Sequence, residues 1–265
     1  MNFIHKVLNI ALHSMGLITL LFFLLSFLSF NSLFFILRSL LSEDVAGKVV
    51  LITGASSGIG EHLAYQYARR GACLVLVARK EKSIQEVADR ARSLGSPEVL
   101  VIRADVSKVE VCKSFVDEAV EHFRRLDHLV NNAGITPVRM FKDSTDITNF
   151  VPVMRTNFWG SICSTHSAVP HLRKTKGKII VIASSGGWLS APRMSIYCAS
   201  KAAVISLYES LRVEFGTNIG IMIVTPGLIE SEMTQGKFLR KAQVQMSVIP
   251  VESAERCANA IVNST

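Results

Sequence analysis

Tyr197 and Lys201 stand four residues apart in the run Tyr197-Cys198-Ala199-Ser200-Lys201, a spacing that puts two side chains on one face of a helix. A free phenol ionises near pH ~10 and is a poor base at neutral pH. An ammonium beside it favours the phenolate, so the pair can exchange a proton with a substrate oxygen. Alone, a Tyr-x-x-x-Lys pair is more often surface decoration than catalysis. Its weight depends on what else the chain carries.

The second chemical motif is Thr53-Gly54-Ala55-Ser56-Ser57-Gly58-Ile59-Gly60, which follows the apolar run Val49-Val50-Leu51-Ile52 and opens an amphipathic stretch. Glycines let the backbone turn tightly and approach a pyrophosphate, and the next helix offers free N–H groups and a positive dipole end. The strand–turn–helix context separates a dinucleotide site from an ordinary glycine-rich turn. Gly54, Ser56, Ser57, Gly58, Ile59 and Gly60 are therefore candidate cofactor contacts. A site for NAD usually carries a carboxylate about 20 residues further on, where it holds the ribose hydroxyls. Here the second apolar run ends in Val77-Ala78-Arg79-Lys80. Two cations stand in place of the carboxylate, and Arg79 can grip a 2′-phosphate in bidentate fashion. The pattern favours NADP(H) as cofactor, and an oxidised nicotinamide further favours the Tyr197 phenolate.

Short β-branched runs alternate with amphipathic stretches from Lys48 onward. Strands are expected at 49–52, 74–77, 99–102, 126–130, 178–182 and 219–224. Helices are expected at 61–70, 83–93, 108–123, 150–172, 195–215 and 253–262. Apolar strands of this kind suit a parallel sheet covered on both faces, so the fold class is α/β, doubly wound and Rossmann-type. The catalytic domain is expected over residues 45–265, after an anchor at residues 1–44.

That anchor centres on Gly16 to Leu37, an uncharged stretch rich in Leu, Ile and Phe. As a helix it rises about 33 Å, enough for a hydrocarbon core of ~30 Å. It is too long for the apolar core of a signal peptide, and apolar on every face, unlike a surface helix. Membrane lipid is thus an expected partner of residues 16–37. The chain has 29 Lys and Arg against 21 Asp and Glu, a formal net charge of +8. The cations are scattered in twos and threes with no aromatic-interleaved tract, which argues against nucleic acid as a partner. Five dispersed cysteines lack metal-ligand spacing, so no metal site is expected and reduced, buried thiols are the plain reading.

Several further elements join the two motifs in order: Asp105 after the third strand, Asn131-Asn132-Ala133-Gly134, Asn157, Ser184 and Pro226-Gly227. Together they resemble the short-chain dehydrogenase/reductase family over nearly all of Lys48 to Val262. Trp188–Ser195, Thr225–Leu239 and the apolar N-terminus resemble its plant hydroxysteroid dehydrogenase-like, steroleosin-related branch. The resemblance implies that Tyr197 is the general acid/base and that Lys201 lowers its pKa and holds the nicotinamide ribose. It implies that Ser184, in preference to the neighbouring Ser185, binds the substrate oxygen and that Asn157 supports a proton relay to Lys201. Asp105 and Val106 flank the adenine, Ser56 and Arg79 contact the 2′-phosphate with Lys80 beside them, and Asn132 and Ala133 lie near the ribose. Pro226, Gly227 and Ile229 wall the nicotinamide.

The implied function is NADP-dependent interconversion of a hydroxyl and a ketone on a small lipophilic substrate, a hydroxysteroid by resemblance. A homodimer through the two long helices is implied in the same way. The implied location is the endoplasmic reticulum or a lipid droplet. Related droplet anchors carry prolines, whereas none precedes Pro97 here, which points to the former. Relatives continue beyond the last helix into a further strand and a substrate-covering tail, so ending at Thr265 is expected to leave a sheet edge open. That makes a weak or inactive membrane or droplet protein on the same fold the alternative reading. A soluble acyl-carrier ketoreductase is a third.

Overall fold

The computed structural model describes residues 2–40, 43–234 and 250–265, with side chains of the first helix described at His5 and residues 13–31. Residues 235–239 of the branch-specific stretch, and the side chains of residues 32–37, lie outside this set. The chain divides into two units, Met1–Glu43 and Asp44–Asn263.

The first unit is one helix, α1 (Asn2–Leu40), longer at both ends than the apolar stretch alone requires. No proline interrupts it, and Gly16 is tolerated inside it at a cost of about 1 kcal/mol. Its segment His13–Asn31 is long and apolar enough to cross a membrane. Phe22, Phe23, Phe27 and Phe30 are all exposed.

The second unit is built on six strands: β1 (Val49–Thr53), β2 (Cys73–Ala78), β3 (Val99–Arg103), β4 (His128–Asn131), β5 (Lys178–Ile182) and β6 (Gly220–Val224). They pair in parallel throughout, in the order β3-β2-β1-β4-β5-β6. Alternate residues feed two cores, because successive strand side chains point to opposite faces. Leu51, Val75 and Leu129 pack with α4 (Val109–Phe123), α6 (Gly160–Thr175) and α7 (Ser195–Phe215). Ile52, Leu76 and Val130 pack with α2 (Gly58–Ala68), α3 (Glu81–Ser93) and α8 (Ala254–Val262). The strand order reverses between β1 and β4, and in such sheets ligands bind at that switch point, outside the carboxyl ends of the strands.

A short helix, α5 (Val151–Met154), runs into α6 through a wide π-helical turn, Arg155–Trp159. A second, two-stranded parallel pair joins β7 (Leu228–Glu230) to β8 (Val251–Ser253), with Ile229 opposite Glu252. Ser253 caps α8 by accepting from the Arg256 N–H at 3.2 Å. The Arg70 guanidinium on the far side of α2 donates to Val262 O at 2.9 Å, tying α8 to α2.

Between α6 and α7 lies a buried polar cluster. The Tyr208 hydroxyl is 2.7 Å from Ser161 Oγ and 2.6 Å from Thr165 Oγ1, and it accepts from Asn131 Nδ2 at 2.9 Å. Burial pushes the Tyr208 phenol up to about 12, against the opposing hydrogen bonds from Ser161, Thr165 and Asn131. It therefore stays neutral and serves as a strut joining α7 and α6 to the end of β4.

His128 on β4 is fully buried, with Nδ1 3.3 Å from the Tyr67 hydroxyl. Burial is the main cause that holds its pKa down at about 3, with Lys178 and Lys48 adding to it and Asp127 opposing it. The folded state excludes a proton that the unfolded chain accepts near pH ~6.5, so stability falls as pH drops below that value. Between pH 7 and pH 5 this group alone is expected to remove about 2 kcal/mol. Guanidinium unfolding of the detergent-solubilised chain, followed by Trp fluorescence, checks this. His128→Gln should flatten the slope by that amount, and an unchanged slope means that other groups carry the acid sensitivity.

Candidate active site

A cleft of about 490 Å³ opens at the switch point, and its lining runs from the glycine turn to the catalytic motif. Of the residues singled out from sequence, Gly54, Ser56, Ser57, Gly58, Ile59, Arg79, Lys80, Asp105, Val106, Asn132, Ala133, Ser184, Tyr197, Lys201, Pro226, Gly227 and Ile229 all line it. Gly60 and Asn157 do not. They sit one layer back and shape the wall.

The cradle at one end is a steric construction. Gly54 has φ +67, a left-handed conformation that suits glycine, and a Cβ there would lie 2.8 Å from Ala133 Cα. A Cβ on Gly60 would lie 2.4 Å from both Asn132 Nδ2 and Gly54 O. The Asn132 amide fills that space by donating to Thr53 O at 2.9 Å and Gly54 O at 3.1 Å. Asn132 therefore braces the turn as well as facing the cleft. Thr53, which opens the glycine motif but carries no assigned role in the sequence reading, makes the matching connection. Its Oγ1 donates to Val130 O at 3.2 Å and accepts from Asn132 N at 3.1 Å and Ala133 N at 3.2 Å. A threonine ending the first strand, opposite an Asn-Asn-Ala-Gly run ending the fourth, is the signal that could have found it.

Beyond the cradle, Arg79 and Lys80 sit exposed at the end of β2. Asp105 lies across from them, and its carboxyl is held below the usual range. Burial acts to raise it but is outweighed by hydrogen bonds from Ser107 and by the nearby charges of Arg79 and Lys108. A backbone cradle at a helix N-terminus, with two exposed cations beside it, fits a nicotinamide dinucleotide.

At the opposite end α7 carries Tyr197 and Lys201. The Ser184 hydroxyl accepts from Gly186 N at 3.1 Å, which leaves its own proton free to donate, and it stands near enough to Tyr197 to pull the phenol's pKa down. Ser185 instead uses its backbone N–H on Pro226 O at 2.8 Å and does not line the cleft. The Lys201 ammonium donates to Ile182 O at 2.7 Å and lies 5.9 Å from the centre of the Tyr197 ring. Burial pushes Lys201 down to about 8. Burial also pushes the Tyr197 phenol above its ordinary value, with the Ser184 hydrogen bond pulling the other way and Cys198 adding a small upward push. Burial of the phenol is thus the larger influence on Tyr197, and Ser184 opposes it.

Asn157 sits in the wide turn with its side chain fully committed. Its Oδ1 accepts from Ile135 N at 2.8 Å, and its Nδ2 donates to Ile135 O and to Ser200 Oγ, both at 3.0 Å. Ser200 Oγ in turn donates to Tyr197 O at 2.7 Å. A Cβ built on Gly134 would lie 3.4 Å from Asn157 Oδ1 and 3.6 Å from Lys201 Nζ, so these three meet at one point behind the cleft. Wide turns of this kind recur at functional sites because they re-aim a helix face.

The cleft thus sets an acid/base hydroxyl pair beside a dinucleotide-shaped cradle, and known proteins carry the same plan. The family model of short chain dehydrogenases matches residues 48–242. An "11-beta-hydroxysteroid dehydrogenase A" of Arachis hypogaea is 54% identical over 275 residues, spanning 100% of this chain and 79% of the relative. Among solved structures, a short-chain type dehydrogenase/reductase from Mycobacterium marinum is 30% identical with a TM-score of 0.77, over 83% of this chain and 88% of that one. A short chain dehydrogenase/reductase from Burkholderia phymatum, in complex with NAD, is 28% identical with a TM-score of 0.74, over 82% of this chain and 84% of that one. A match across most of the folded unit, together with half-identity to a plant enzyme along the whole chain, places this protein in the short-chain dehydrogenase/reductase family, within its plant hydroxysteroid dehydrogenase-like branch.

Proposed function

We propose that this oxidoreductase uses NADP(H) to interconvert a hydroxyl and a ketone on a lipophilic, hydroxysteroid-like substrate. In this reading residues 1–44 anchor residues 45–265 to the endoplasmic reticulum membrane. The observation that carries it is the arrangement of one cleft: Ser184, Tyr197 and Lys201 line one end, and Arg79 and Lys80 stand at the other. The bound nicotinamide supplies or accepts the hydride. The chain's own groups handle the proton. In reduction, Tyr197 gives its hydroxyl proton to the substrate oxygen, while Ser184, whose oxygen is already occupied by the Gly186 N–H, donates to the same oxygen and stabilises its developing charge. Lys201 stays close enough to feed charge into the site, and Asn157 holds the 134–135 segment against α7.

The lipophilic substrate class is supported by the relatives' names and by the exposed apolar helix α1. A homodimer through α6 and α7 belongs to the same reading. It is supported by Val213 standing 83% exposed on α7 and by Trp159 standing 49% exposed where α6 begins.

Two measurements test the proposal. The purified chain in detergent is expected to oxidise NADPH when given sterol or brassinosteroid ketones. Folded protein that binds cofactor yet turns over none of them supports the alternative, a membrane or droplet protein without activity. For the cofactor, Arg79→Asp is expected to weaken NADPH by about 30-fold, the loss of a charge-assisted bidentate contact, while NADH is unaffected or improved. Equal effects on both cofactors remove the case for a 2′-phosphate at this position.

A further inference from the structure

We propose that Glu232 is a specificity determinant of the cofactor site, holding Lys80 across the cleft mouth and so weakening the grip on a 2′-phosphate. The proposal deepens the NADP(H) reading and rests on it. Lys80 Nζ lies 3.6 Å from Glu232 Oε2, and both residues line the cleft from opposite sides. Lys80 is the extended residue that starts α3, whereas Glu232 belongs to the turn that follows β7.

The two partners differ in freedom. The turn that presents Glu232 is pinned: Ser231 N donates to Thr234 Oγ1 at 3.0 Å, Thr234 N donates to Ser231 O at 3.0 Å, and Thr234 Oγ1 bonds Ile229 O. It also rests on the glycine cradle, since a Cβ at Gly58 would lie 3.3 Å from Ser231 Cβ. Behind it β7 pairs with β8, whose last residue caps α8, and α8 packs on α2. The backbone that presents the carboxylate is therefore fixed, and a phosphate must part the two side chains to reach the lysine.

The charges then sort the two cofactors. The adenosine end of the cleft holds two cations, Arg79 and Lys80, and two carboxylates, Asp105 and Glu232. A phosphate monoester carries about −1.5 to −2 charges at neutral pH. It must draw Lys80 away from Glu232 and then lie beside the released carboxylate. A ribose hydroxyl in the same place does neither. Side-chain exposures of 68% for Lys80 and 70% for Glu232 leave the pair in water, where such pairs are weak enough to exchange. Glu232 thus penalises only the phosphorylated cofactor, by a modest factor.

The test measures NADPH and NADH affinity of the full chain by nicotinamide fluorescence at fixed ionic strength. Glu232→Gln is expected to bind NADPH about fivefold tighter and NADH unchanged. In a Lys80→Met background the gain should shrink to about twofold or less, because the competition for the lysine is gone. Glu232→Gln shifting both cofactors alike, or neither, overturns the proposal. This outcome is separable from failure of the NADP(H) reading, which shows instead as an Arg79→Asp variant whose NADPH-to-NADH ratio matches that of the unmodified chain.

Discussion

Tyr197→Phe is expected to lower ketone reduction by about 10³-fold while leaving NADPH affinity within about twofold. The substitution removes one oxygen and little else. Phenylalanine keeps the ring that packs over Gly186, where a built Cβ would lie 3.5 Å from Tyr197 Cε1. What is lost is the proton donor. A phenol is protonated at neutral pH and burial pushes Tyr197 further that way, so its proton is available to a carbonyl oxygen. Ser184 alone can still donate a hydrogen bond to the oxygen but cannot deliver a proton, so a small residual rate is expected. Steady-state kinetics with a responsive ketone, beside a cofactor titration, would separate chemistry from binding. Near-normal turnover in the phenylalanine variant would mean that another group protonates the product and that the cleft has been assigned to the wrong reaction.

The second large effect is expected at a residue that does not line the cleft. Gly60→Ala should weaken NADPH binding by about 100-fold, because its methyl group would occupy the position where the Asn132 amide now braces the turn, 2.4 Å from Nδ2 and from Gly54 O. Relieving that overlap means expelling the Asn132 amide and displacing the Gly54 carbonyl, which strips two hydrogen bonds from Thr53 O and Gly54 O and opens the cradle. Overpacking of this kind costs roughly 1–3 kcal/mol, and here the cost falls on the geometry that grips the pyrophosphate. Circular dichroism should show a folded chain, with the loss confined to cofactor affinity. A folded Gly60→Ala variant of normal affinity would show that the turn does not need its brace.

The sheet was legible because each strand is a short apolar run bounded by glycine or charge, and the helices between them keep an apolar face. Fully buried parallel strands read this way whatever their neighbours do. The first helix of the sheet unit begins at Gly58, inside the glycine turn, three residues before its apolar periodicity does. The short pair of β7 and β8 was not legible. Three residues make no periodic pattern, and the partners lie far apart in sequence. Motif order led to many of the cleft residues, yet the role of Thr53 and the place of Glu232, Thr136 and Thr156 in or beside the cleft escaped. Thr53 works through its hydroxyl on another strand's backbone, and Glu232 through a lysine on a distant turn, relations that spacing along the chain does not encode. The balance of forces on Tyr197 was also invisible from residue types, since the distance from an ammonium to a ring depends on rotamers.

The wide turn at Arg155–Trp159 makes the two halves of one long helix depend on each other's phase. One surplus residue absorbed in an otherwise regular spiral rotates all that follows by about 100°. Asn157 within the turn meets Ser200, while Ser161 and Thr165, further along, meet the Tyr208 strut, and both partners lie on α7. Straightening the turn by deleting a single amino acid would satisfy the local backbone and yet swing those two hydroxyls away from their strut. The bulge therefore acts as a phase shifter, setting the rotation at which the polar residues beyond it meet α7.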